Sequence, residues 1–158
     1  MIRQQVGDLL EIQFGGMYWY VIVLSKIVMF GGNVIFAYHT EGRRYELQEL
    51  IKHNVGFNVC TDLRLAKREG TVARIHHFED VAQFWRTQFA KATVEHRPGV
   101  KAKEWFIYKI EELGGPEIDR VSTLTADYRQ AMDHACFSFD WVVELIEQRY
   151  SPDQNEHI

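Results

Sequence analysis

Two histidines stand side by side in the sequence, and histidine is the side chain that most often binds a metal ion or carries a proton near neutral pH. His76 and His77 fall within a predicted strand. Adjacent strand residues point to opposite faces of a sheet, so the two rings cannot easily bind one ion. His39 and His53 could approach one of them, but nothing in their spacing requires it. The sequence therefore predicts no metal site.

Nucleophilic or acid–base chemistry would need cysteine or carboxylate side chains in a defined setting. Cys60 could pair with a distant histidine, but no strand–turn–helix elbow surrounds it. Cys60 and Cys136 are far apart in the sequence and lack a CxxC motif, which favours two buried, reduced thiols. Asp8 and Glu11 could act as acid and base only inside a cleft. These residues predict no catalytic site.

Glycine pairs could mark a phosphate-binding loop, which is the common way to hold a nucleotide cofactor. Gly15-Gly16 and Gly31-Gly32 lack the lysine and the following helix that such a loop needs. Both pairs instead sit between stretches rich in aromatic and β-branched residues, which is typical of tight hairpins. The sequence predicts turns at these positions and no cofactor.

The arms of these hairpins form the segment that organises the chain, Val6 to Tyr38. The middle arm is apolar on both faces, which indicates a central strand covered twice. Further strands are predicted at 57–65, 71–75 and 105–110, and a helix over 81–92. We predict an α+β fold: a strongly bent antiparallel sheet or a small SH3-like barrel, with packed helices.

The domain prediction is a single unit over residues 1–150, sheet-rich over 1–110 and followed by a helical C-terminal extension at 116–150. The extension is predicted to hold one helix over 126–135 and another over 138–150. Residues 151–158 are polar and predict a flexible tail. The predicted core is spread over sheet and helices: Leu10, Ile12, Tyr20, Ile22, Leu24, Ile35, Val59, Ile75, Phe84, Trp105, Trp141 and Leu145.

Charge is distributed unevenly along a chain whose formal net charge is −4. Residues 111–158 hold three basic and eleven acidic residues, so the excess of acid lies at the C-terminal end. In the final predicted helix, Asp140, Glu144 and Glu147 fall on one narrow arc. This arc either contacts a basic partner or only keeps the helix in water.

Basic residues gather around the predicted second hairpin, and a basic rim on a small barrel can hold a phosphate backbone. These residues are Arg43, Arg44, Arg64, Lys67, Arg68 and Arg74. They alternate with acidic side chains in an acidic chain, which favours a solvated, mixed-charge surface over nucleic-acid binding.

The stretch VGDLLEIQFGGMYWYVIVL resembles the opening of the bacterial immunity protein 26 family: a Gly-Asp turn, a glycine hairpin and a second strand bearing Tyr and Trp. The order of FNVCTDLRL, TVARIHHFE and KEWFIYKI fits the same family, so the resemblance covers about residues 5–110. It implies a cytoplasmic bacterial protein that binds and neutralises a toxin domain, often a nuclease. It implies no catalysis.

We therefore predict a non-enzymatic immunity protein whose partner is a cognate toxin with a basic surface. The partner-binding residues are predicted to be the C-terminal acids Glu117, Asp119, Asp133, Asp140, Glu144 and Glu147. The alternatives are a small β-barrel module for peptide or nucleic acid, and an enzyme with a site built from scattered residues. The chain opens without an apolar leader, and its longest apolar run, Val21–Leu24, is too short to span a membrane, so we expect a cytoplasmic protein.

Overall fold

The structure is a computed structural model that describes residues 3–27, 32–111 and 115–158. It is a mixed α+β fold with two antiparallel-rich sheets, which confirms the predicted fold class. The first sheet has six strands in the order β10-β4-β3-β2-β1-β5. Its strands are β1 (Asp8–Phe14), β2 (Met17–Ile27), β3 (Gly32–Tyr38), β4 (Gly56–Thr61), β5 (Thr71–His77) and β10 (Cys136–Phe137).

The hairpin between β1 and β2 forms as the glycine pair predicts. Gly15 and Gly16 adopt φ of 60° and 76°, the left-handed conformation that a two-residue turn between twisted strands requires. Gly31, in the second predicted turn, lies outside the described residues, and Gly32 begins β3. The strands β1, β2 and β3 are antiparallel neighbours, as the predicted hairpin arms require, and β4 extends the same series beside β3.

The first sheet is open, so the barrel alternative is wrong. β5 pairs with β1 at one edge and the short β10 pairs with β4 at the other. Closure would need these two edge strands to bond to each other, and they do not pair in the part of the chain that the structure describes.

The strand β2 is central and covered on both faces, as its sequence predicts. Its odd-numbered residues, including Trp19 and Val21, pack in one core cluster with the final helix. Its even-numbered residues, including Tyr20 and Ile22, pack in a second cluster that contains Phe84 and residues of the second sheet. The alternation of strand side chains thus places one apolar layer on each side of the first sheet.

The second sheet has four strands in the order β8-β7-β6-β9. Its strands are β6 (Phe89–Ala92), β7 (Trp105–Lys109), β8 (Glu117–Val121) and β9 (Met132–Asp133). The predicted helix over 81–92 is therefore wrong: a 3-10 turn at Ala82–Phe84 is followed by β6. The apolar residues that occur there at helical spacing belong to two different elements. Phe84 is buried in the 3-10 turn, and the later residues lie in β6, which pairs with β7.

Four α-helices lie in the described residues: α1 (Leu47–Lys52), α2 (Leu63–Glu69), α3 (Ala126–Arg129) and α4 (Phe139–Glu147). The predicted strand over 57–65 is wrong after Thr61, because the Asp62 side chain accepts a hydrogen bond from the Arg64 backbone N–H and starts α2. The final helix is confirmed within the predicted 138–150.

The C-terminal part is less helical than predicted. It contributes β8 and β9 to the second sheet and β10 to the first, and α3 ends at Arg129 instead of continuing to 135. Residues 151–158 are predicted to be a flexible tail, but they pack on the molecule: Pro152 is buried, and the His157 carbonyl accepts a hydrogen bond from the Ala102 N–H at 2.8 Å.

The predicted core is largely confirmed. Ten of its twelve residues are buried and Ile75 is partly buried. The prediction that Trp141 is a core residue is wrong, since 47% of its surface is exposed. α4 turns Val142, Leu145 and Ile146 toward the first sheet, which leaves Trp141 at the margin of the buried face.

Candidate functional site

The exposed face of α4 carries the acidic arc that the sequence predicts. Asp140, Glu144 and Glu147 are all exposed, while Val142 and Ile146 on the opposite side are fully buried. Asp140 lies in the first turn, where the helix dipole favours a carboxylate. A hydrogen bond from the Ser138 side chain, with others from backbone N–H groups, lowers the pKa of Asp140. Asp140 is therefore negatively charged at neutral pH.

A large aromatic surface borders this arc. Trp141 is half exposed and stacks on Phe137, with ring centroids 6.5 Å apart and planes inclined by 23°. At 100° per residue, Trp141 lies on the flank of the arc formed by Asp140 and Glu144. An exposed indole beside carboxylates offers an apolar face and negative charge within one helical turn.

A cleft of about 500 Å³ opens on the aromatic side of α4. Its walls come from β6, residues 133–135 with Phe137, α4 and the C-terminal residues 154–157. Trp105 and Trp141 both line it, together with Phe137. Trp105 is almost fully buried and forms part of the wall, whereas Trp141 stands at the exposed side. The cleft is thus lined by aromatic side chains among polar and charged ones, next to an acidic helix.

Asp133 lies in the wall of this cleft and is already engaged. Its carboxylate accepts hydrogen bonds from the Tyr150 hydroxyl and from Asn155 Nδ2, each at 2.8 Å. Burial, reinforced by this carboxylate, raises the pKa of Tyr150, so the phenol remains the donor. Among the predicted partner-binding acids, Asp133 holds the C-terminal segment in place and forms the cleft.

Lys91 is the other charged group built into this wall. It is almost fully buried on β6, and its Nζ donates to the carbonyls of Arg129 at 2.6 Å and Pro152 at 2.7 Å. Burial lowers the pKa of Lys91 to about 8. These hydrogen bonds join β6 to the end of α3 and to the C-terminal segment. Lys91 therefore positions the elements that form the wall of the cleft.

Glu117 and Asp119 lie on β8, away from α4. Glu117 pairs with Arg120 at 2.9 Å, and Asp119 accepts a bond from the Tyr128 hydroxyl at 3.0 Å. β8 is at one edge of the second sheet and β9, which carries Asp133, is at the other. The predicted set is thus divided into an arc on α4, a wall residue at Asp133 and a distant pair on β8.

The carboxylates considered for acid–base chemistry are buried in the first sheet. Asp8 is fully buried between His77, at 2.9 Å, and Arg74, at 3.6 Å. Glu11 accepts bonds from the Tyr20 hydroxyl at 3.0 Å and from the Arg44 guanidinium. Both groups hold neighbouring elements together.

The basic residues of the predicted rim are mostly paired with acids. The ion pairs are Arg43–Glu49, Arg44–Glu11, Arg64–Asp62 and Arg74–Asp8. Each of these arginines lies beside a carboxylate, so the four pairs carry little net positive charge, which weakens the case for a phosphate-binding surface.

No protein-family model, curated protein or solved structure matches the chain. Over residues 3–27, 32–111 and 115–158 there is no group of three or more His, Cys, Asp and Glu side chains that could hold a metal ion. Within the same part of the chain, no helix is long and apolar enough to cross a membrane.

The acidic arc could be predicted from the sequence, but the cleft could not. The sequence predicts Trp141 as a core residue, although its angular position between Glu144 and Leu145 places it at the boundary of the buried arc. Lys91 and Asp133 gave no local signal, because their role comes from contacts with residues far along the chain.

Proposed function

We propose that this chain is a non-enzymatic binding protein that recognises a basic protein through the exposed face of α4 and the adjoining cleft. The observation that carries the proposal is the half-exposed Trp141, placed between the acidic arc and the cleft. Tryptophan in a partly open, aromatic recess is the residue type that most often dominates binding energy at protein interfaces.

The combination of groups suits lysine or arginine on the partner. Asp140 and Glu144 can form ion pairs with such side chains, and the face of the Trp141 indole can hold a cation within about 6 Å of its centroid. The acids also attract a basic surface over about a Debye length, roughly 8 Å at physiological salt. The aromatic groups supply burial and the carboxylates supply specificity and encounter rate.

The class of partner follows from the resemblance of residues 5–110 to the bacterial immunity protein 26 family. A cytoplasmic immunity protein binds a toxin domain, and a nuclease toxin needs a basic surface to hold its substrate. An acidic arc with an aromatic anchor would cover such a surface and keep nucleic acid away. We therefore propose toxin neutralisation as the biological role.

The test is titration calorimetry against a toxin domain encoded beside this gene, with wild-type protein and the Glu144→Lys/Glu147→Lys variant. We expect the variant to bind at least about tenfold more weakly, a loss of about 1.4 kcal/mol, with its Tm nearly unchanged because both side chains are exposed.

The matched control is Glu117→Lys/Asp119→Lys, which changes the net charge by the same amount on the distant strand β8. We expect a much smaller loss of affinity in this control. Equal losses would show a general charge effect, and unchanged affinity in the α4 variant would exclude α4 as the contact.

A further inference from the structure

The two cysteines, distant in sequence, face each other in the first sheet. β10 runs parallel to β4, and Cys136 is the register partner of Cys60. The next residues, Phe137 and Thr61, are also paired, and the Thr61 hydroxyl donates to the Phe137 carbonyl at 2.8 Å. This bond holds the register that brings the cysteines together.

The two sulfur atoms both lie against Gly32. A Cβ placed on Gly32 would lie 2.5 Å from the Cys136 Sγ and 3.1 Å from the Cys60 Sγ, so both sulfurs occupy the space that a side chain would fill. Both thiols are free, and the Cys60 thiol donates a hydrogen bond to the Cys136 sulfur. Neighbouring strands run about 4.7–4.9 Å apart, within the Cα separation of about 4.4–6.8 Å that disulfides span.

The environments of the two thiols differ. Cys60 is buried, whereas Cys136 is only partly buried. The hydrogen bond from Cys60 lowers the pKa of Cys136 and outweighs burial and the Asp62 carboxylate, which both raise it; the Arg64 guanidinium adds a smaller lowering effect. The same hydrogen bond, together with burial, raises the pKa of Cys60. Cys136 is thus the more accessible and more readily ionised member of the pair.

We propose that Cys136 and Cys60 form a redox-active dithiol that hydrogen peroxide converts into an intramolecular disulfide, with Cys136 reacting first and Cys60 second. The Cys136 thiolate attacks one peroxide oxygen, the O–O bond breaks, and the leaving hydroxide takes a proton to form water. Cys136 is then a sulfenic acid.

The second step closes the bond. Cys60 gives up its proton, its sulfur attacks the Cys136 sulfur, and the S–O bond breaks as hydroxide leaves and takes that proton. Overall, two thiols are oxidised by two electrons, one peroxide is reduced, and two waters are released. The disulfide joins β10 to β4 next to the aromatic cleft, in the register that already exists.

The experiment treats the reduced chain with hydrogen peroxide and then alkylates it under denaturing conditions. We expect the intact chain to lose two hydrogens and to resist alkylation at both cysteines, with a Cys60–Cys136 peptide after digestion. The Tm should rise by about 5 °C or more, because the bond closes a long loop, and dithiothreitol should reverse the rise.

Two variants separate the roles. Cys60→Ala should stop at a sulfenic acid on Cys136 that dimedone traps, and Cys136→Ala should leave Cys60 unmodified over the same time. The proposal is overturned if the wild type keeps both thiols while free glutathione is oxidised, if the disulfide joins two chains, or if the Tm does not rise. It is also overturned if Cys60 reacts at the wild-type rate in Cys136→Ala. The wild-type mass measurement decides the matter even where a variant fails to fold.

Discussion

At the scale of single residues, the two tryptophans that line the cleft have opposite roles. Trp105 is 3% exposed and packs with Ile107 and Leu124, whereas Trp141 is 47% exposed. The first is a structural residue of the wall and the second is available to a partner.

We expect Trp105→Ala to lower the free energy of unfolding by about 3–5 kcal/mol, because it removes a large buried ring and leaves a cavity. Trp141→Ala is the matched control and should cost less than about 1 kcal/mol, since substitutions at exposed sites have small effects. Urea denaturation of both variants checks this difference. Equal losses in the free energy of unfolding would contradict the difference in burial between the two rings.

Single-residue burial could be predicted from the sequence wherever alternation or helical spacing was strong. Tyr20, Ile22 and Leu24 were placed correctly because a strand fixes which face each side chain occupies. Trp141 was wrongly predicted to be buried, because the burial of a residue at the edge of a helical arc depends on its neighbours in space. The approach of Cys60 to Cys136 could not be predicted at all, since it depends on the parallel pairing of β10 with β4.

At the scale of elements, the errors occur where a long-range contact overrides a local pattern. The spacing of Phe84, Trp85 and Phe89 fits a helix, yet β6 forms because its backbone pairs with β7 and β9. β9 and β10 are two-residue strands, too short for any periodicity. Local sequence therefore predicted the long strands and α4, and it missed the elements that only pairing creates.

The contacts of Lys91 between elements lead to a prediction about how the stability of the fold depends on pH. Its pKa in the folded protein is about 8, against 10.5 as the ordinary value. Between pH 8 and pH 10.5 the unfolded chain keeps a proton that the folded protein has lost, so the folded state gains stability as the pH rises. The gain by pH 10.5 should be on the order of 3 kcal/mol.

The measurement is the free energy of unfolding of wild type minus that of Lys91→Met, across pH 7 to pH 10.5. Subtraction removes the titration of tyrosines and other lysines that both proteins share. The difference should move in favour of the wild type as the pH rises. A difference that is flat over this range would show that Lys91 keeps an ordinary pKa in the fold.

At the scale of the whole molecule, residues 132–137 join the two sheets. β9 extends the second sheet beside β6, and β10 extends the first beside β4, with α4 following directly. The acidic arc is thus part of the folded unit and stands beside a cleft whose walls draw on both sheets. The sequence had predicted a helical extension outside the sheet-rich part, because no local feature reports these pairings.

The most direct test of the proposed binding surface is the set of four tryptophan indole N–H signals in an NMR titration with the toxin domain. Trp141→Phe assigns the signal of the exposed ring, and Trp19, a buried residue of β2, serves as the internal control. Binding at α4 and the cleft predicts a large shift or broadening of the Trp141 signal, with the Trp19 signal nearly unchanged. A bound complex in which the Trp141 signal does not move would contradict the account.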